Sequence, residues 1–331
     1  MPAAPNRRAA AAVLLVPLIV TLALWAFAWP AARIAPRDLP VGIAGAAPAT
    51  DQLQKRFEQE KGAFEIHRYE DEAAARTAIE DRVVYGAVVV TAEGPRLLTA
   101  SAASPVVSQL LTGAVAAAAP GGDGIPVTDV VAAPEADPRG SALGASILPL
   151  ALAGVAAGAI VTLLKLRGAR AAVTLIGASA LVGLVATALA HSWLGVITGD
   201  WWAEAGVVGL TVVAIGSAVA GPAALLGTPG IGLGALLMVL LGNPFSGVTS
   251  APELLPAPVG VLGQWLPPGA GGSLLRSVAF FDGHAAGGPA LTLALWAALG
   301  LTAVLLGGLR HRAAPAPRTG TGGRTPEPAL T

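Results

Sequence analysis

Long runs of residues without a charged side chain constrain this chain more than any other feature. They cover residues 9–28, 143–164, 171–190, 205–241 and 289–309. About 20 apolar residues in a helix span the hydrocarbon core of a bilayer, which is about 30 Å thick. The run 205–241 is too long for one helix, and its Gly- and Pro-containing interruptions at 221–222 and 227–230 favour two helices with a tight turn. The sequence therefore predicts an α-helical integral membrane protein with six transmembrane helices, none carrying a charge in mid-membrane.

The composition supports this class and argues against others. Apolar residues make up 54 % of the chain and charged residues 12 %, whereas soluble domains carry about 25 % charge. The net charge is zero, which disfavours a nucleic-acid partner. Cysteine is absent and the four histidines are far apart in sequence, so disulfides, thiolate sites and a histidine metal site lack the necessary residues. We therefore expect no catalytic set, no metal site and no cofactor, and we do not expect an enzyme.

Basic residues in short loops predict the orientation in the membrane. They form three clusters: Arg7 and Arg8; Lys165, Arg167 and Arg170; and Arg310 and Arg312. With six crossings all three clusters fall on one side, which the positive-inside rule makes the cytoplasmic side. We therefore expect a multi-pass protein of a bacterial plasma membrane with both termini in the cytoplasm. The first helix is either an uncleaved anchor or a signal peptide cleaved after Ala28, because Ala26 and Ala28 have the small-x-small pattern.

The polar residues divide the chain into four parts. Residues 1–31 are a cytoplasmic N-terminus with the first helix, and residues 32–142 are an extracytoplasmic α/β domain inserted between helices 1 and 2. Residues 143–310 are a five-helix membrane domain, and residues 311–331 are a disordered cytoplasmic tail rich in Pro, Gly and Thr. The inserted domain holds ten basic and fifteen acidic residues. Its negative net charge, opposite in sign to that of the basic clusters on the cytoplasmic side, fits a chain whose charges are separated by a membrane.

Alternation and helical periodicity predict the elements of the inserted domain. The predicted strands are 39–44, 64–69, 83–91, 96–100 and 125–131. The predicted helices are 50–61, 71–82 and a third that starts at Pro105, with Ser104 as its N-cap. The alternation of strands and helices predicts a partly parallel sheet with helices packed on it.

A segment rich in glycine and proline at 242–288 precedes the last helix. Its apolar run 254–266 has the length of a re-entrant or interfacial element, so we expect the segment to fold back and cap the helices from outside. Its polar members are Asn243, Gln264, Arg276 and Asp282, the candidates for an external gate. The alternative is structural, with Arg276 paired with Asp282 or with lipid headgroups.

Five motifs in a fixed order carry a resemblance to a known family. They read AIEDRVVYGA at 78–87, LLTASAAS at 97–104, GNPFSG at 242–247, QWLPPGA at 264–270 and LRSVAFFDG at 275–283. In this order the chain resembles the YhgE/Pip-like membrane proteins of actinobacterial type, within the type-2 ABC exporter permease superfamily. The resemblance implies a permease subunit that forms a homodimer or heterodimer and exports an unknown substrate.

The same resemblance implies a separate ATPase subunit, since the chain lacks a GxxxxGK[ST] phosphate loop. Lys165, Arg167 and Arg170 are then the candidate ATPase-coupling loop. A second hypothesis is a non-transporting envelope protein whose external domain binds a protein or a cell-wall component.

Overall fold

The computed structural model of the protein describes residues 5–118 and 125–313, and the tail predicted to be disordered lies outside them from residue 314 on. The chain is mostly helical with one small sheet. The helices are α1 Pro5–Ala31, α2 Ala47–Gln59, α3 Glu72–Glu80, α4 Pro105–Ala118, α5 Ser141–Leu163, α6 Gly168–Thr187, α7 Trp201–Leu226, α8 Thr228–Ala235, α9 Val259–Gln264, α10 Pro267–Phe280 and α11 Gly287–Ala313. The strands are β1 Leu39–Gly45, β2 Phe64–Tyr69, β3 Gly86–Thr91, β4 Gly94–Thr99 and β5 Val127–Asp129. π-helical turns extend α6 over Ala188–Trp193 and α8 over Leu236–Gly242.

The five strands form one mixed sheet in the order β2-β1-β3-β4-β5. β1 pairs in parallel with β2 and β3, β3 and β4 form an antiparallel hairpin, and β4 pairs in parallel with β5. The predicted partly parallel sheet is confirmed. The strand predicted at 83–91 begins only at Gly86, because residues 81–85 form the turn that leads from α3 into β3.

Alternating side chains of the strands bury both faces of the sheet. Ala87 and Val89 face α3 and its residue Ile79. Val88 and Leu97 face α4 and the partly buried side chains of α2. We call residues 39–131 the α/β unit. Phe281 packs on the face of the sheet that α3 covers, and Leu254 packs on the face that α4 covers. The segment at 242–288 therefore contacts the α/β unit on both faces of its sheet.

Five helices are long and apolar enough to cross a membrane. The candidate spans are Val13–Ala31, Ser141–Leu163, Gly168–Trp193, Trp201–Leu226 and Gly287–Leu309. α7 is the central one, with 78 % of its apolar stretch buried inside the protein, compared with 11–28 % for the other four. The apolar side chains on the outside of the remaining helices are what a lipid environment requires.

The second half of the apolar run at 205–241 does not form a helix long enough to span a membrane. After a turn at Gly227, α8 runs back along α7, with Gly230 against Pro222 and Gly234 against Val219. The apolar helix Thr228–Gly242 is too short for a full span. Gly242 meets Pro268 at the start of α10, whose Gly271 lies against Thr211 in the other half of α7. The two short helices thus follow α7 in succession, one along each half of it.

Small residues bring α5 and α7 into close contact. Gly158 lies against the backbone of Gly216 and Ala220, and Gly216 lies against Gly154. These are the small residues at four-residue spacing in the sequence, and such spacing lets helix backbones approach closely in membranes. Here the pairs on α5 and α7 face each other.

Candidate functional site

A cleft of about 650 Å³ lies between the α/β unit and the helices. Its walls come from the turn after α3, from residues 252–276 and from the first residues of α11. Three basic side chains (Arg37, Arg82 and Arg276) and two acidic ones (Asp38 and Glu253) line it. The cleft therefore carries one excess positive charge.

Arg82 joins the α/β unit to α10. Its φ of 61° places it in the left-handed region that ends the turn after α3. The Arg82 guanidinium donates hydrogen bonds to the carbonyl oxygen of Ser273, at 3.0 Å, and to the hydroxyl of Ser277, and it lies 5.3 Å from the ring centre of Phe281. Burial lowers the pKa of Arg82, an effect that Tyr85 and Glu253 oppose.

Tyr85 and Glu253 form the second link across the cleft. The Tyr85 hydroxyl donates to a carboxylate oxygen of Glu253 at 2.8 Å. Burial is the main reason why the pKa of Tyr85 is raised, and the Glu253 carboxylate raises it further. The main chain adds a third link, because the amide of Arg37 donates to the carbonyl oxygen of Glu253 at 2.9 Å. These contacts hold the residues before β1 against the segment that precedes α9.

Arg276 is the most buried charge in the cleft, with 5 % of its surface exposed. Its Nη2 donates to the carbonyl oxygen of Val248 at 2.9 Å, across the segment. Its Nε is buried without a hydrogen-bond partner. A buried donor without a partner costs free energy, so this position of Arg276 needs an explanation.

The structure places two of the four predicted gate residues in the cleft. Gln264 and Arg276 line it, and Gln264 is held by hydrogen bonds to the Ser246 carbonyl at 2.7 Å and from the Ser273 hydroxyl at 2.6 Å. Asn243 instead ends the π-helical turn after α8, where its carbonyl accepts from the Ser246 hydroxyl. Asp282 is an exposed turn residue with a φ of 49°. Arg276 is bonded to Val248 in place of the suggested partner Asp282.

Sequence reasoning missed Arg82, Tyr85 and Glu253. Arg82 and Tyr85 belong to the motif at 78–87 that carries the family resemblance, which was the available signal. The partners of Arg82 lie 191 and 195 residues further along the chain, and no local pattern connects such distant positions.

Lys165, Arg167 and Arg170 lie together, all exposed, at the other end of the helices. Only residues 164–167 connect α5 to α6. Next to this loop, Gly168 packs on Gly308 near the end of α11. The loop and the end of α11 therefore share one end of the bundle, away from the α/β unit.

A buried carboxylate also ties the ends of α6 and α7 together. α7 begins four residues before the predicted span and so includes Glu204, whose side chain is fully buried. One Glu204 oxygen lies 2.8 Å from Nδ1 of His191, and the other accepts from the amide of Gly199 at 2.8 Å. The tryptophans nearby, Trp193 and Trp202, are exposed, as expected for interfacial anchors.

Comparisons with known proteins do not extend these observations. No protein-family model, curated protein or solved structure matches the chain. Within residues 5–118 and 125–313, no group of three or more histidine or acidic side chains is placed to hold a metal ion.

Proposed function

We propose that the protein is a permease subunit of an ABC-type exporter, working with a separate ATPase subunit. The observation that carries this proposal is the pair of short helices, α8 and α10, that pack along α7 beside the cleft; in the proposal they form a discontinuous sixth crossing. Broken, Gly- and Pro-interrupted helices that are buried in protein are typical of the substrate sites of transporters. The family resemblance supports the same reading. In this role the chain performs no covalent chemistry: it binds substrate and changes conformation.

The proposal includes six crossings with both termini in the cytoplasm. Five crossings come from the long helices, and the sixth from α8 with its π-helical extension followed by α10. The helix Thr228–Gly242 rises about 22 Å at 1.5 Å per residue, which is short of about 30 Å, and α10 supplies the remaining depth. The shared location of the loop at 164–167 and the end of α11 supports an even number of crossings.

Single cysteines test this topology cleanly, because the natural chain has none. In right-side-out vesicles, we expect a membrane-impermeant maleimide to label Glu93→Cys in the α/β unit but not Leu226→Cys at the turn between α7 and α8. In inverted vesicles the labelling reverses. Both side chains are exposed in the structure, so access does not limit the reaction. Labelling of Leu226→Cys from the outside contradicts the proposed orientation of α7. Labelling of Ala285→Cys, an exposed residue between α10 and α11, from the inside contradicts the sixth crossing.

The ATPase proposal predicts a complex that depends on the basic loop. We expect an ATPase to co-purify with the intact protein from its native membrane and to hydrolyse ATP faster in its presence. Replacing Lys165, Arg167 and Arg170 together by glutamine removes three exposed positive charges and is expected to abolish co-purification. The matched control is Arg68→Gln with Arg96→Gln, two exposed charges of the α/β unit.

Three outcomes contradict this prediction: absence of any associated ATPase, an unchanged complex with the loop variant, or an equal loss with the control. Because loop charges also set orientation, the maleimide assay with Glu93→Cys is repeated in the loop variant. The co-purification result is interpreted only if the loop variant keeps the membrane topology of the intact protein.

The second candidate is a non-transporting envelope protein whose α/β unit binds a protein or a cell-wall component. One observation favours it: four residues between α5 and α6 leave no room for a docking helix. The ATPase experiment separates the two candidates, since this one requires no associated ATPase.

A further inference from the structure

The cleft continues into a long apolar groove on the outside of the helices. This groove encloses about 1050 Å³ between α8 and α11, with α7 as its floor. Trp265 and Thr292 line both the cleft and the groove. The two spaces therefore meet at these residues and form a single path, with charged walls at one end and apolar walls at the other.

The groove is long enough to hold a hydrocarbon chain. Its wall on α11 extends from Thr292 to Ala303, which is roughly 16 Å at about 1.5 Å per residue. Half of a hydrocarbon core about 30 Å thick is nearly the same length. The other walls are leucines, such as Leu233, Leu237 and Leu241 on α8. No charged side chain lines the groove within the described part of the chain.

The charged side chains of the cleft favour a ligand group of negative charge. Arg37, Arg82 and Arg276 outnumber Asp38 and Glu253. Glu253 already accepts the Tyr85 hydroxyl, whereas Nε of Arg276 is buried and lacks a partner. Arg276 lines the cleft, so its positive charge attracts an anionic oxygen there, and hydrogen bonds to a charged group are stronger than neutral ones.

Trp265 marks the boundary between the two environments. Its side chain is 68 % exposed, and its carbonyl oxygen accepts from the indole nitrogen of Trp296 at 2.8 Å. Tryptophan is enriched where the hydrocarbon core meets the headgroup layer. This places the cleft at headgroup level and the groove at acyl-chain level.

We propose that this path binds an anionic amphiphile, with its negatively charged headgroup in the cleft near Arg276 and an acyl chain in the groove between α8 and α11. The inference names a ligand class for the proposed permease and rests on its membrane orientation, but it does not depend on the ATPase. A second copy of the chain is the competing occupant of the groove.

Native mass spectrometry of the full-length protein in detergent tests the proposal. The probes are dioleoyl phosphatidylglycerol, dioleoyl phosphatidylcholine and inorganic phosphate. We expect the intact protein to retain phosphatidylglycerol at least about tenfold more tightly than phosphatidylcholine, because the two share a phosphodiester but the excess positive charge of the cleft repels the choline ammonium group. Inorganic phosphate at equal concentration is not expected to displace the lipid.

Two variants locate the ligand. Arg276→Gln removes the cation and is expected to abolish the preference for phosphatidylglycerol. Thr292→Trp blocks the junction of cleft and groove and is expected to weaken binding about tenfold or more. Leu291→Trp is the matched control: it is the adjacent residue of α11, is 61 % exposed and lies outside the described walls of both spaces. We expect it to bind like the intact protein.

The outcomes separate the sources of the anion and the occupants of the groove. Equal retention of both lipids overturns the headgroup site, and displacement by inorganic phosphate overturns the lipid source. A dimer that Thr292→Trp converts to monomer, with unchanged lipid binding, shows that a second copy fills the groove and overturns the acyl site. Size-exclusion chromatography shows whether Arg276→Gln folds. If it does not, the difference in lipid binding between Thr292→Trp and Leu291→Trp decides whether the acyl site exists. Failure of the ATPase experiment leaves all of these results unaffected.

Discussion

Replacing Gly183 by leucine is expected to lower the free energy of unfolding by about 1–3 kcal/mol or more, because overpacking of a close contact is destabilising. Gly183 lies on α6 where the backbone of α7 comes closest. A Cβ atom at this position overlaps the carbonyl oxygen of Ala205 and lies 3.0 Å from the amide nitrogen of Gly209. No side-chain rotation relieves a clash between a Cβ and a backbone, so the two helices must separate.

Gly177 on the same helix provides the matched control. A Cβ atom at Gly177 meets nothing within 4 Å, so Gly177→Leu changes helix propensity by the same amount without a clash. The measurement is the thermal unfolding midpoint in detergent micelles, together with the monodisperse fraction. We expect Gly183→Leu to lower both and Gly177→Leu to preserve them. Similar midpoints for the two variants contradict the close packing of α6 on α7.

Replacing Glu204 by alanine is expected to lower the free energy of unfolding by about 3 kcal/mol. The substitution leaves the amide of Gly199 and the ring of His191 without their acceptor, and a buried polar group without its partner costs about 1–3 kcal/mol. It also removes an acidic side chain from the first turn of α7, where the helix dipole favours negative charge.

Asp200→Ala is the control for Glu204→Ala, since both acids stand at the start of α7. Asp200 is exposed and caps the helix by accepting from the amide of Ala203 at 2.8 Å. Loss of such a cap costs about 1 kcal/mol. In the same micelles, the thermal unfolding midpoint should be lowest for Glu204→Ala and highest for Asp200→Ala. Glu204→Gln should lie in between because it keeps one acceptor. The reverse order contradicts a structural role for the buried carboxylate.

The α/β unit was predictable from the sequence in most of its detail. The strand Phe64–Tyr69 lies where alternation predicted it, and the mixed sheet agrees with the predicted partly parallel one. Ser104 was predicted as the N-cap of α4, and its hydroxyl accepts from the amide of Val107 at 3.2 Å. Such features depend on neighbours within a few residues.

The candidate site was predictable only in part. Gln264 and Arg276 stood out as polar residues in an apolar segment, and both line the cleft. Asn243 and Asp282 stood out for the same reason but serve as a helix end and a turn. Polarity in an apolar segment marks a residue as unusual, but it does not distinguish a residue of the cleft from one of a turn.

Apolar run length, charge distribution and side-chain periodicity are local properties, and by themselves they determined the apolar segments, the basic clusters and the mixed sheet of this protein. Only the tertiary structure decided that the second half of the apolar run at 205–241 forms the short helix α8 with its π-helical extension and not a full-length helix. It also decided that Arg82, Tyr85, Glu253 and Arg276 share one cleft. The physical reason is that both results depend on which distant surfaces pack together. That choice is made by close contacts such as Gly242 on Pro268 and Arg82 on Ser273, which no short window of sequence contains.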